Sequence, residues 1–165
     1  MFTPRTTIPE DNNPYYTITS AGGLNEAIAG NPPAWNGSAL ANCVGYGWGR
    51  LYEILGTRPN IEPIDAYLWW NETAYPKSQF ASLGAVAVWS GGEFGTGHIA
   101  VVESMEGGVV SMSNSDYGGR AFYMTNFTEG TYNIPGLTFL GFINVPIPSS
   151  QDVNGWYIFF HNRGK

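Results

Sequence analysis

Apolar positions fall into two regimes along the chain. Between residues 42 and 56, Val44, Trp48, Leu51 and Leu55 recur at i, i+4, i+7 and i+11, the spacing of one helix face. Asn42 stands at the N-cap position and Gly56 just past the last apolar residue, so the pattern predicts a helix between them. Gly45, Gly47 and Gly49 oppose it on propensity, each by up to about 1 kcal/mol against Ala. Their presence implies a close neighbour on that side. A second helix is expected from Pro63, a favourable first-turn residue, to about Trp70. Beyond residue 83 the period changes. LGAVAVW, HIAVVES, VVSMSN, RAFYMT and TFLGFI are short apolar runs separated by Gly-rich or Asn-rich turns, with MEGG as a hairpin turn between the second and third.

The flanks carry weaker signals. Residues 1–40 are rich in Pro, Asn, Gly and Thr and read as an irregular arm, with a short helix near LNEAIAG. Residues 146–165 read as a tail or linker containing one strand-like run, GWYIFF. The order arm, helices, strand meander predicts an α+β fold: a central antiparallel sheet of five to six strands with helices packed on one side. One domain over residues 1–145 accounts for it, and a chain of 165 residues leaves little room for a second.

Composition narrows the function. Charged residues make up 12% of the chain and aromatics 15%, with 22 Gly and 11 Pro, which excludes a coiled coil, a helical bundle or a charged disordered tail. Net charge is −6, with seven Lys and Arg scattered along the sequence, so no nucleic-acid partner is expected. No apolar window is long enough to span a membrane. The opening MFTPRTTIPEDNNPYY lacks the basic patch and apolar run of a signal peptide. The single cysteine excludes an internal disulfide framework. With Cys43, His98 and His161 as the soft ligands, no metal site is expected and no cofactor is implied. A monomer is expected.

Three common catalytic signatures are missing: the G-x-S-x-G nucleophile elbow, the P-loop and the dinucleotide glycine pattern. Glu53, Glu62, Asp65, Glu72, Glu93 and Glu103 form no suggestive carboxylate pair. What remains is Cys43, His98 and the polar run Ser111–Asp116. Thiol–imidazole chemistry needs a thiolate, a base within reach and a third group that fixes the imidazole. Cys43 follows the N-cap directly, where the helix N-terminus favours thiolate; a lone cysteine is equally a small buried hydrophobe. His98 opens a strand after the flexible GTG turn, at the rim of a cleft or as a capped surface residue. Asn114 ends the next strand. An odd hairpin loop would set it opposite His98, an even one would set Ser115 there, and a turn asparagine needs no catalytic explanation. Asp116 competes for the same role.

NCVGYGWGR, LGAVAVW, GHIAVVE and SNSDYGG, in this order over roughly residues 12–145, resemble the CHAP family of cysteine, histidine-dependent amidohydrolases/peptidases. The resemblance implies a papain-like fold and hydrolysis of peptidoglycan, as in phage endolysins and bacterial wall-remodelling proteins. It implies Cys43 as nucleophile, His98 as base and Asn114 as the third residue. The oxyanion would then be held by the Cys43 backbone N–H and Asn42, with Trp89, Tyr117 and Tyr46 as candidates to line the groove. The sequence departs from the family pattern twice. Met112 and Ser113 stand where some members carry a carboxylate, and PPAWNGSALAN lacks the acidic calcium loop that some endolysins place before the cysteine. The implied partner is peptidoglycan, the implied place of action the cell wall, reached by host lysis, holin-type export or as part of a virion. The alternative is a non-catalytic wall-binding or virion structural module on the same fold; a cysteine enzyme acting on protein is a further rival.

Overall fold

In the computed structural model, which describes residues 2–10, 13–18, 38–117 and 119–148, the first helix, α1 (Cys43–Leu55), begins where its cap requires. Asn42 Oδ1 accepts the Gly45 N–H at 2.9 Å, and Gly56 closes the other end in the left-handed region (φ 67°), its N–H reaching the Tyr52 carbonyl. The face formed by Val44, Trp48 and Leu51 is buried as expected. The helical glycines are explained by what lies against them. A Cβ on Gly47 would sit 2.6 Å from Ile99 Cδ1, and one on Gly49 2.6 Å from the Tyr15 carbonyl oxygen. Glycine therefore costs helix propensity but lets α1 settle onto the sheet.

The second helix, α2 (Ala66–Glu72), starts three residues later than Pro63. The Ile64 N–H bonds the Glu62 carbonyl in a tight turn (3.0 Å), so the chain is still reversing where a helix was expected. Pro63, Ile64 and Asp65 remain a loop.

Six strands form one antiparallel sheet: β3 (Lys77–Ser78), β4 (Val86–Gly91), β5 (His98–Glu106), β6 (Val109–Asn114), β7 (Tyr123–Thr128) and β8 (Leu137–Ile143). Their spatial order is β3-β8-β4-β5-β6-β7. The expected meander thus holds for β4 to β7 only. β8 crosses back to pair with β4, because its Phe142 and Ile143 complete the two apolar layers at that edge. β3 escaped the sequence reading because two residues carry no period. So did β1 (Tyr16–Ile18) and β2 (Ser38–Leu40), a short parallel pair within the arm. LNEAIAG and GWYIFF lie outside the described residues.

Both helices cover one face of the sheet. Val86, Val88, Ile99, Val101 and Ile143 meet Trp48, Leu51 and Trp69 there. The other face carries Ala87, Trp89, Ala100, Val102, Met112 and Phe142, and is closed by Tyr132, whose carbonyl accepts the Trp89 Nε1–H at 2.8 Å.

The β5–β6 hairpin decides which residues share a face with His98. Its turn is the two-residue Gly107–Gly108, both at positive φ (58° and 75°), tighter than MEGG because Met105 and Glu106 already pair with Val110 and Val109. Carried straight down the strands, that even turn would place Asn114 opposite Val101, on the helix side. A bulge at Glu103 prevents this: Ser104 pairs with Ser111, but Val102 pairs with Met112 and Val101 with Ser113. Continued, the shifted register sets Asn114 opposite Ala100, on the same face as His98. The apolar pattern selects the bulge, since it puts Val102 and Met112 in one layer.

Candidate active site

Cys43 sits in the first turn of α1 and His98 at the start of β5, and both line a cleft of about 590 Å³. The cleft walls come from the α1 N-terminus, the Pro63–Ala66 loop, the β4–β5 turn with Phe94 and Gly97, and the loop after β6 with Asp116 and Tyr117. Gly97 is obligatory in this turn. Its φ is 76°, and a Cβ there would run into the Trp89 carbonyl oxygen.

Asn114 reaches His98 diagonally across β5 and β6, with Oδ1 3.0 Å from Nε2. The amide orientation follows from its other contacts: Nδ2 donates to the Met112 carbonyl and to Thr125 Oγ1, both at 2.9 Å. Oδ1 is therefore the atom that faces the imidazole, and an oxygen acceptor requires Nε2 to carry the proton. Nδ1 is left with a free lone pair. Behind the ring lies Trp89, fully buried, its ring centroid 5.9 Å from that of His98.

Burial pushes the Cys43 thiol up to about 11, although the backbone N–H groups of Ile99, Val44 and Cys43 lie against the sulfur and pull the other way. This weighs against the expectation of a resting thiolate: burial acts on the thiol more strongly than these N–H groups do. Burial also lowers His98 below the ordinary histidine value, partly offset by the Asn114 bond and the Asp116 charge. Burial thus weights both groups toward their neutral forms.

The other sequence candidates separate clearly. Asn42 lines the cleft but commits Oδ1 to capping α1. Tyr117 lines the cleft and is largely exposed, whereas Trp89 and Tyr46 lie in the core. Asp116 faces the cleft with its carboxylate engaged by Tyr123 Oη (2.5 Å) and Arg120 Nε (3.0 Å), not by His98. Sequence reasoning missed Phe94, Thr96 and the Pro63–Ala66 loop as cleft walls, and Thr125 as a partner of Asn114. The GTG triplet before His98 was the one visible signal for the turn. Among the described residues no group of three or more His, Cys, Asp or Glu could hold a metal ion, and no helix is long and apolar enough to cross a membrane.

Residues 33–116 match the CHAP domain family, just over half the chain, and the protein belongs to that family, whose members are hydrolases acting on peptidoglycan. No curated protein matches the sequence. Among solved structures, the chain is similar to one described as "The crystal structure of Ly7917 with the hydrolyzing product of MDP", at 17% identity and a TM-score of 0.38. The match covers 54% of this chain and 48% of that one, so this chain spans about half the length of that protein.

Proposed function

We propose that this protein cleaves an amide bond in the peptide part of peptidoglycan, as an N-acetylmuramoyl-L-alanine amidase or an endopeptidase, with Cys43 as nucleophile, His98 as base and Asn114 as the group that fixes the imidazole. The observation that supports this most is the His98–Asn114 bond. It holds the proton on Nε2 and leaves Nδ1 as an acceptor in the cleft that Cys43 shares. As Sγ attacks the scissile carbonyl, the thiol proton passes to Nδ1 and the imidazolium forms. The tetrahedral oxyanion is met by backbone N–H groups at the start of α1, with the Asn42 side-chain amide as a further donor. Collapse expels the amine, which takes the proton from Nδ1 and leaves a thioester on Cys43. Water, deprotonated by His98, hydrolyses the thioester and regenerates the thiol. Tyr117 and Phe94 supply apolar rim surface for the wall substrate.

In a lysin of this kind no cofactor takes part, and the wall is reached when a host cell is opened or from a virion. The buried thiol favours a second reading, a wall-binding or virion module without activity. Mass spectrometry of fragments released from purified walls separates the two and identifies the bond. New amino termini within the stem or cross-bridge mean an endopeptidase, and free stem peptides beginning with L-Ala mean an amidase. Walls left intact while the protein stays bound to them would support the module.

A further inference from the structure

The end of β6 and the residue that follows it are three consecutive polar residues, Ser113, Asn114 and Ser115, all essentially inaccessible to solvent. Buried hydroxyls are kept where they have partners, and strand alternation sends the serines to one side and Asn114 to the other. Asn114 turns to His98. Ser115 Oγ accepts the backbone N–H of Asn42 at 2.9 Å and donates to the Arg120 carbonyl at 3.3 Å. Ser113 Oγ donates to Glu103 Oε1 at 2.6 Å, and that carboxylate is held by Arg50 of α1 through Nε (2.9 Å) and Nη2 (2.8 Å). One strand end thus grips the imidazole on one face and the cysteine helix at two points on the other.

We propose that Ser115 is a positioning residue for the thiol–imidazole pair: by accepting the Asn42 N–H it fixes the first turn of α1, and with it Cys43, against the strand end that orients His98. The proposal rests on the reaction proposed above. Asn42 is the residue just before Cys43, so a shift of its backbone passes to the sulfur without any intervening side chain. The Arg50–Glu103–Ser113 tether holds α1 two turns further along. That contact holds the helix on the sheet, and the first turn itself packs on Ile99 through Cys43, Val44 and Gly47. Ser115 adds the hydrogen bond that ties the backbone just before Cys43 to the strand end carrying Asn114, and a displacement of even an ångström between reacting groups is felt strongly in a rate.

The test compares Ser115→Ala and Ser115→Thr with the wild type in three measurements. These are kcat and KM on purified walls, the rate of Cys43 alkylation by iodoacetamide, and the His98 Nε2–H resonance in protein carrying ¹⁵N-histidine. The chain has one cysteine and two histidines, so alkylation reports Cys43 and His161→Gln assigns the resonance. Ser115→Ala is expected to lower kcat and the alkylation rate together by about tenfold, to leave KM within twofold and to keep the resonance. Ser115→Thr, which retains the acceptor oxygen, should recover most of the rate. A folded Ser115→Ala with both rates within twofold of wild type overturns the proposal, even if its melting temperature falls, because Ser115 is then structural alone. Equal losses in the Ala and Thr variants also overturn it, since the acceptor would not be the cause. Alkylation needs no wall substrate, so its result stands apart from the proposed reaction. A wild type that alkylates rapidly but releases nothing from walls counts against that reaction, not against the positioning.

Discussion

Replacing Asn114 by Ala removes the hydrogen bond that fixes the His98 ring, and the structure sets the size of the effect. In the resting state the bond joins a neutral imidazole to an amide, worth about 0.5–1.5 kcal/mol net; once the ring is protonated the same bond is worth about 1.5–3 kcal/mol. The difference, roughly 1–1.5 kcal/mol, is felt in kcat as about tenfold. A ring freed to change tautomer and orientation loses up to about another tenfold. The expected fall in kcat is therefore about 10–100-fold with KM nearly constant. The Met112 carbonyl and Thr125 hydroxyl also lose their donor, which costs about 1–3 kcal/mol of stability. The corresponding drop in Tm is about 2–10 °C for a chain of this size. Initial rates of wall clearing, taken at a temperature where a melting curve shows the variant folded, keep the two effects apart. Asn114→Asp should retain activity but also lose Tm, because its second oxygen would face the Met112 carbonyl at the position from which Nδ2 now donates. A kcat for Asn114→Ala within about threefold of wild type, beside a crippled Asp116→Ala, would refute the reasoning and move the orienting role to Asp116.

Four further outcomes are expected. Burial holds His98 below its ordinary value, so the ring stays neutral and able to accept a proton to more acidic pH. The acid limb of kcat/KM should accordingly lie below about pH 6.5. With the thiol pushed up to about 11, the thiol–imidazole pair persists into the alkaline range and activity should stay level to about pH 9, whereas a resting thiolate–imidazolium pair would lose activity there. Gly49→Ala gains up to about 1 kcal/mol of helix propensity but drives a Cβ to 2.6 Å from the Tyr15 carbonyl oxygen, a backbone atom, so a net loss of about 1–2 kcal/mol is expected in denaturant unfolding. EDTA should leave wall hydrolysis unchanged; a loss that calcium restores would locate a metal requirement in the stretch before Cys43.

Much of the architecture was legible because local signals agreed with the tertiary outcome. Asn42, the apolar face of α1 and Gly56 marked that helix to the residue, and the glycines announced the contact that Ile99 and Tyr15 make. The candidate triad was legible in residue identity but not in geometry. The even Gly107–Gly108 turn alone argues against Asn114, and only the bulge at Glu103 returns it to the side of His98. The signal for that bulge was an acidic residue inside an apolar strand, whose partner Arg50 lies 53 positions away on α1. Such a pairing has no local signature. The crossing of β8, the position of Trp89 behind rather than beside the cleft, and the burial that pushes the Cys43 thiol up share that cause. Each is decided by what packs against the residue, and neither periodicity nor spacing records it.

Hydrolysis of purified cell walls by wild type and Cys43→Ala, at equal concentration and with folding verified by circular dichroism, tests the central claim most directly. The account predicts that the variant folds like the wild type and releases no fragments, because Cys43 is the one cysteine of the chain and no second thiol can take its place. Retention of even about a tenth of the wild-type rate by Cys43→Ala would contradict cysteine catalysis.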